Sequence, residues 1–257
     1  MQKMMNQILK RTGHLLMGVI VLVLFSTCSK DSSEAISPGN TGKGGSMARF
    51  TISGNYLYIV DSQNLIVYSL ADPANPLFLK SMEIGPEIET IFPFRNRLFV
   101  GSRTAVYFFS LSDPANPVLE SKVSDPVIRM RCDPVVANDS MAFATLNASG
   151  PCGGFQSILA VYDIRDFNKP VKIAERPLNA PFGLGYKDSI LYVCDDAAGL
   201  RLFNIRNSSN PIEITILNDA NYLDVIPYED LLVCWTRKGM RLFDISNPAN
   251  PKFVTEI

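Results

Sequence analysis

The sequence predicts an all-β chain, a five-bladed β-propeller of four-stranded antiparallel blades, and three observations carry that expectation. The block VYSLADPANP at residues 67–76 returns as YFFSLSDPANP, AVYDIRDFNKP, RLFNIRNSSNP and RLFDISNPANP, so one unit is written five times. The closing prolines are Pro76, Pro117, Pro170, Pro211 and Pro251, at spacings of 41, 53, 41 and 40 residues, a period that fits one supersecondary unit per repeat. After residue 47 there is no amphipathic helical stretch, and each period has room for four short strands but not for helical crossovers.

Each element of the repeat has a physical reason. Eight residues before the closing proline stands an aromatic, Tyr68, Phe109, Tyr162, Phe203 or Phe243, and two residues later an aliphatic, Leu70, Leu111, Ile164, Ile205 or Ile245. A period of two puts both on one buried face of a strand. The following Asp72, Asp113, Asp166, Asn207 or Asn247 starts a turn that a sheet cannot continue through, which makes the DPANP tract punctuation and not a catalytic box. In the second unit the four strands read as residues 88–94, 97–101, 106–111 and 118–123. The unit boundaries fall near 48–85, 86–125, 126–179, 180–219 and 220–257. A lone blade cannot bury both its faces, whereas blades set around an axis cover one another. The ring is expected to close by side-chain packing between the last and first units, or by pairing of the N-terminal strand into the last blade.

The hexamers LRLFNI at residues 200–205 and MRLFDI at residues 240–245, each followed by a turn ending in Asn-Pro, resemble the LVIVD-repeat β-propeller family over residues 48–257. The resemblance implies a propeller of a kind frequent in secreted or envelope-anchored bacterial proteins. It implies no activity and carries over no catalytic residue. The first unit departs from the pattern with Asn64 where the fourth has Gly199, and the third has Phe167 and Lys169 in its turn.

The N-terminus reads as an export signal. Lys3, Lys10 and Arg11 precede an apolar run at residues 15–25, too short for a comfortable span, which ends in Ser26, Thr27 and Cys28. This is the design of a secretory signal peptide, residues 1–27, and the cysteine after small residues resembles a bacterial lipobox, although Phe25 replaces the usual aliphatic. Cys28 is then the lipidated first residue of the mature chain, an ordinary signal peptide cut nearby being the alternative. Residues 28–47, rich in Ser and Gly, form a flexible tether. The expected location is the bacterial cell envelope, as an outer-membrane lipoprotein whose only membrane contact is its anchor.

Composition narrows the chemistry. Loss of residues 1–27 removes three of 24 basic groups and none of the 25 acids, leaving a net charge near −4, and the scattered basic residues offer no nucleic-acid surface. The single histidine, His14, lies in the signal segment, which removes serine triads and histidine-based metal sites from consideration. No metal or cofactor is expected. Cys132 and Cys152 flank the insertion of the third unit and are expected to pair in an oxidising envelope, two free thiols being the alternative. Cys194 and Cys234 each stand 17 residues before their unit's proline. They read as equivalent, diverging positions on neighbouring blades, buried as small apolar groups.

Propeller ligands sit where loops of one end converge. The connections after each second strand carry Arg103, Asp195, Asp196, Trp235 and Arg237, and the connections between units carry Glu87, Arg129, Phe182 and Tyr222. These form the expected binding mouth, for each of which packing or solvation is the competing reading. The sequence thus favours a non-enzymatic, lipid-anchored propeller that binds an envelope protein or glycan. The alternatives are a carboxylate-dependent carbohydrate-active enzyme using Asp195, Asp196 or Glu87, and a structural spacer with apolar area on the blade rim.

Overall fold

The computed structural model of the chain describes residues 47–103, 105–124, 131–148 and 156–257. The expected signal segment, Cys28, the expected tether up to residue 46, Arg129 and Cys152 lie outside the described residues. The described part forms twenty strands in five antiparallel sheets of four, each in simple meander order. The first blade comprises β1 (Phe50–Ser53), β2 (Tyr56–Val60), β3 (Asn64–Ser69) and β4 (Leu77–Glu83). The second comprises β5 (Ile88–Phe94), β6 (Arg97–Ser102), β7 (Ala105–Ser110) and β8 (Val118–Ser124), each within one residue of the expected run. The third holds β9 (Arg131–Ala137), β10 (Met141–Asn147), β11 (Ser157–Asp163) and β12 (Val171–Leu178), and the fourth β13 (Leu184–Lys187), β14 (Ile190–Cys194), β15 (Leu200–Asn204) and β16 (Ile212–Leu217). The fifth holds β17 (Tyr222–Tyr228), β18 (Leu231–Thr236), β19 (Gly239–Asp244) and β20 (Lys252–Glu256).

The repeat shows in the hydrogen bonding as clearly as in the letters. In all five blades the register between the third and fourth strands slips immediately before the repeated aromatic, at Val67/Tyr68, Phe108/Phe109, Val161/Tyr162, Leu202/Phe203 and Leu242/Phe243. Such a bulge increases local twist. The turn that follows is closed by its first residue: Asp113 accepts from the Ala115 amide at 3.0 Å and the Asn116 side chain at 2.8 Å, and Asp72 does the same for Ala74 and Asn75. The outer strands expose Phe78, Leu119, Ile173, Ile214 and Phe253. Charged neighbours such as Lys80, Glu120, Lys172, Glu213 and Glu256 interleave with them and guard these free edges against pairing with other chains.

Each blade has a leading face toward the preceding blade and a trailing face toward the next. Four apolar cores fill the spaces between successive blades. Tyr58, Val60, Leu65 and Val67 of the first pack on Ile91, Leu98, Val100 and Tyr107 of the second, and Phe99 and Phe108 on Val135, Ala144 and Tyr162 of the third. Phe143 and Val161 then meet Leu184, Leu191, Val193 and Phe203 of the fourth, while Tyr192, Cys194 and Leu202 meet Val225, Leu232, Cys234 and Phe243 of the fifth. Every contact also has a polar tie to the second turn residue of the following blade. Tyr58 donates to the Pro114 carbonyl and Tyr192 to that of Pro248, both at 2.8 Å. Ser121 donates to the Phe167 carbonyl, and Asn138 to the Ser208 hydroxyl at 3.2 Å.

Closure differs from both expectations. β1 pairs with β2 of its own blade, so no strand is exchanged, and among the described residues no apolar cluster joins the fifth blade to the first. Register makes the point position by position. Phe50 opposes Ile59 as Ile91 opposes Val100 and Leu184 opposes Val193, yet Phe50 is 61% exposed against 1% and 0%. On the trailing face of the fifth blade Trp235 is 54% and Met240 42% exposed, whereas their fourth-blade counterparts Cys194 and Leu200 are at 0%. Among the described residues, five blades are therefore held by four inter-blade cores, and a trailing and a leading face stand uncovered.

Candidate functional site

The end of the propeller formed by the connections after the second strands collects most of the expected site residues, and it uses them structurally. Asp196, at φ 46° in the turn after β14, receives both Nε and Nη2 of Arg237 at 2.8 Å and Nδ2 of Asn221 at 3.2 Å. Its backbone carbonyl takes the amide of Tyr222 at 3.3 Å. The Arg237 guanidinium is the main cause that holds the Asp196 carboxyl below the usual range. Asp195 is completely buried and accepts from the amides of Asn179 and Ala180 at 2.9 and 2.8 Å and from Arg201 at 3.1 Å. It anchors the segment that leads into the fourth blade.

The remaining expected residues are similarly engaged. Tyr222, buried at the start of β17, donates to Asp219 at 2.7 Å and accepts from Arg241 at 3.2 Å, and burial first, then the bond to Asp219, pushes its phenol far up. Phe182 packs against the core between the fourth and fifth blades, and its carbonyl accepts from Thr145 at 2.7 Å. Arg103 is held by Glu87 at 2.7 Å and Glu89 at 3.1 Å in the second blade. Trp235 lies within β18, on the uncovered trailing face, and not in the connection beyond it. Cys132 stands in β9 opposite Leu146, and its expected partner, Cys152, lies outside the described residues.

Cys194 and Cys234 are free, buried thiols, but they are not equivalent. Cys194 opposes Leu200, and its fifth-blade counterpart is Trp235, which opposes Met240. Cys234 corresponds instead to Val193, because the turn after β14 is longer than the turn after β18. The two thiols therefore enter one inter-blade core from opposite sides. Burial pushes both far above the ordinary thiol range, so they remain neutral packing groups.

The cavity lies at the other end, where the first strands of four blades meet. It measures about 500 Å³. Its walls include Phe92 and Phe94 from β5, Val136 from β9, Leu184 and Tyr186 from β13, and Val225 and Pro227 from β17. The turns between first and second strands lie at this end; Asp188, Glu229 and Asp230 from them line the cavity, and in the second, fourth and fifth blades the turn is two residues long with its first residue at positive φ: Arg95 at 53°, Asp188 at 53° and Glu229 at 49°. The equivalent turn of the first blade uses Gly54 at φ 57°, where the conformation costs nothing. A side chain there costs on the order of 1 kcal/mol, and three blades retain charged residues nonetheless.

The charges at this end fall into two sets. Arg95 pairs with Asp139 at 2.6 Å, and the Lys187 ammonium donates to Asp230 at 2.6 Å and to the carbonyls of Glu229 and Ile245 at 2.7 and 3.1 Å. Among the described residues no hydrogen bond or ion pair engages the carboxylates of Asp188 and Glu229. Tyr186 donates its hydroxyl to the Ala137 carbonyl at 2.8 Å, and burial raises its phenol to about 12. A cavity with aromatic walls and two unengaged carboxylates at its mouth can stack against C–H faces and accept hydrogen bonds from hydroxyls. Sequence reasoning missed it because its residues come from four units and none stands out within its own.

Among the described residues no group of three or more Cys, Asp or Glu side chains could hold a metal ion. The LVIVD repeat profile matches residues 44–83 and 233–257, the first unit and the end of the last. The chain is a five-bladed β-propeller in which these two segments match the LVIVD repeat. A search of the curated proteins finds no match. Among solved structures the propeller is similar to a functionally unknown protein from Desulfotomaculum acetoxidans, with 12% identity, TM-score 0.60, and 79% of this chain and 66% of that one covered. It is also similar to the periplasmic gluconolactonase of Pseudomonas aeruginosa, with 13% identity, TM-score 0.59 and 79% and 69% coverage. A third similar structure is the computationally designed Ika8 protein, with 12% identity, TM-score 0.56 and 81% and 60% coverage. The chain spans about three fifths to two thirds of the length of these structures, and at such identities the likeness is one of fold.

The Asp196 pair makes a pH-dependent contribution. A carboxyl held below its unfolded value adds stability that is present above about pH 4 and is lost as pH falls through the lower folded value. Arg237→Gln is therefore expected to lower stability near pH 6 and to differ progressively less from the parent chain as pH falls below about 4, as read from urea unfolding at a series of pH values. A difference that persists undiminished at pH 2 would place the effect elsewhere.

Proposed function

We propose that this chain is a non-enzymatic, lipid-anchored binding protein of the bacterial envelope, and that its axial cavity takes a saccharide. The observation that supports the reading is the pairing of aromatic walls, Phe92, Phe94 and Tyr186, with the unengaged carboxylates of Asp188 and Glu229. Sugars present both an apolar face for stacking and a ring of hydroxyl donors, and carboxylates accept from hydroxyls more strongly than neutral groups do. This moves the proposed binding region from the loop end expected of the sequence to the opposite end. The carboxylate-enzyme alternative has less behind it, since Asp195, Asp196 and Glu87 each hold an arginine. The fold shared with a gluconolactonase at 13% identity brings no catalytic residue to this chain.

A glycan array followed by calorimetric titration of its hits tests the reading. Saturable binding is expected without release of sugar, with Phe94→Ala and Glu229→Gln each weakening it about tenfold, the equivalent of about 1.4 kcal/mol. No hit on the array, or turnover of a bound glycoside, would overturn it. The anchor is tested separately: Cys28→Ala is expected to move the protein from the membrane to the soluble fraction and to abolish incorporation of labelled fatty acid. Unchanged fractionation would remove the anchor from the account.

A further inference from the structure

We propose that the two uncovered faces are the halves of one intermolecular contact, the fifth blade of one copy packing on the first blade of a second copy as successive blades pack within the chain. The trailing face of the fifth blade presents Val233, Trp235, Met240 and Leu242, in register with Tyr192, Cys194, Leu200 and Leu202, which fill the core between the fourth and fifth blades. The leading face of the first blade presents Phe50, Leu57 and Ile59, in register with Val225, Leu232 and Cys234 on the other side of that same core. Each surface thus has the composition and strand register of a partner that the chain already packs four times over.

The polar tie is also laid out. Thr255 opposes Leu242 as Ser121 opposes Phe108, which puts a hydroxyl where Ser121 reaches the following blade's turn. Pro73 occupies, in the first blade, the turn position of Pro114, Phe167, Ser208 and Pro248, each of which accepts from a preceding blade. Pro73 and Thr255 are both exposed, and among the described residues no such tie reaches Pro73. Because the two faces are different surfaces, the contact is heterologous, and it closes into a ring only if the rotation between copies allows.

Cysteine pairs chosen from the chain's own geometry test the proposal. Cys194 and Cys234 face one core, and their counterparts across the proposed contact are Trp235 and Ile59. Full-length chains carrying Trp235→Cys and Ile59→Cys separately are mixed in detergent and treated with a short bismaleimide, the unsubstituted chain serving as background for the native thiols. A covalent dimer is expected in the mixture and not in either chain alone. Absence of a dimer in the mixture would overturn the proposal, as would cross-linking within single copies of the double variant, which would mean that the ring closes on itself. Sedimentation gives an independent reading: the unsubstituted chain is expected to exceed the mass of one copy and Phe50→Asp to return it to that mass. One-copy mass for the unsubstituted chain at every concentration would likewise contradict the contact.

Discussion

Everything in this structure depends on the burial of one blade's apolar face by the next. A four-stranded sheet with aliphatic and aromatic residues on both faces is unstable alone in water, and each large side chain taken out of solvent contributes about 2 kcal/mol. The chain applies this solution at four places, with the same strand positions meeting each time and the same turn residue receiving a hydrogen bond from the blade before. The repeated turn is more than an end to a strand. Its second residue receives the hydrogen bond of the preceding blade, at the backbone carbonyl of Pro114, Phe167 and Pro248 and at the side-chain hydroxyl of Ser208.

The sequence made the blades legible because strand alternation and turn chemistry are local. The aromatic and aliphatic pair two residues apart, and the Asp or Asn that follows, specify a strand and its ending without reference to anything distant. The seam was not legible. Leu57 and Ile59 are the same kinds of residue as Leu98 and Val100, and letters that read as core do not say whether a neighbour arrives. The mistaken equivalence of Cys194 and Cys234 has a smaller cause of the same sort. Counting back from a proline cannot register a longer turn, and a shift of one residue exchanges the faces of a strand.

The candidate site divides along the same line. Asp195, Asp196 and Arg237 stood out as charges in a loop, yet their charge serves to tie segments together: Asp195 replaces water with two backbone amides and a guanidinium, and Asp196 bridges the fourth blade to the fifth. The axial cavity is assembled from residues that look ordinary in their own units, Phe94 at a strand end and Glu229 in a tight turn. Only their convergence from several blades gives them a shared space, and only the backbone shows that Asp188 and Glu229 hold a conformation glycine would adopt more cheaply.

The central claim, that inter-blade burial holds the chain together and stops at the seam, is tested most directly by one matched pair of truncations. Leu202 and Leu242 are the same residue at the same register, opposite Tyr192 and Val233, the first fully buried between blades and the second half-buried on the uncovered face. In urea unfolding at protein concentrations low enough to keep copies apart, Leu202→Ala is expected to cost about 3 kcal/mol and Leu242→Ala less than about 1 kcal/mol. Equal losses at the two positions would mean that the fifth blade is covered as fully as the fourth, and the account would fail.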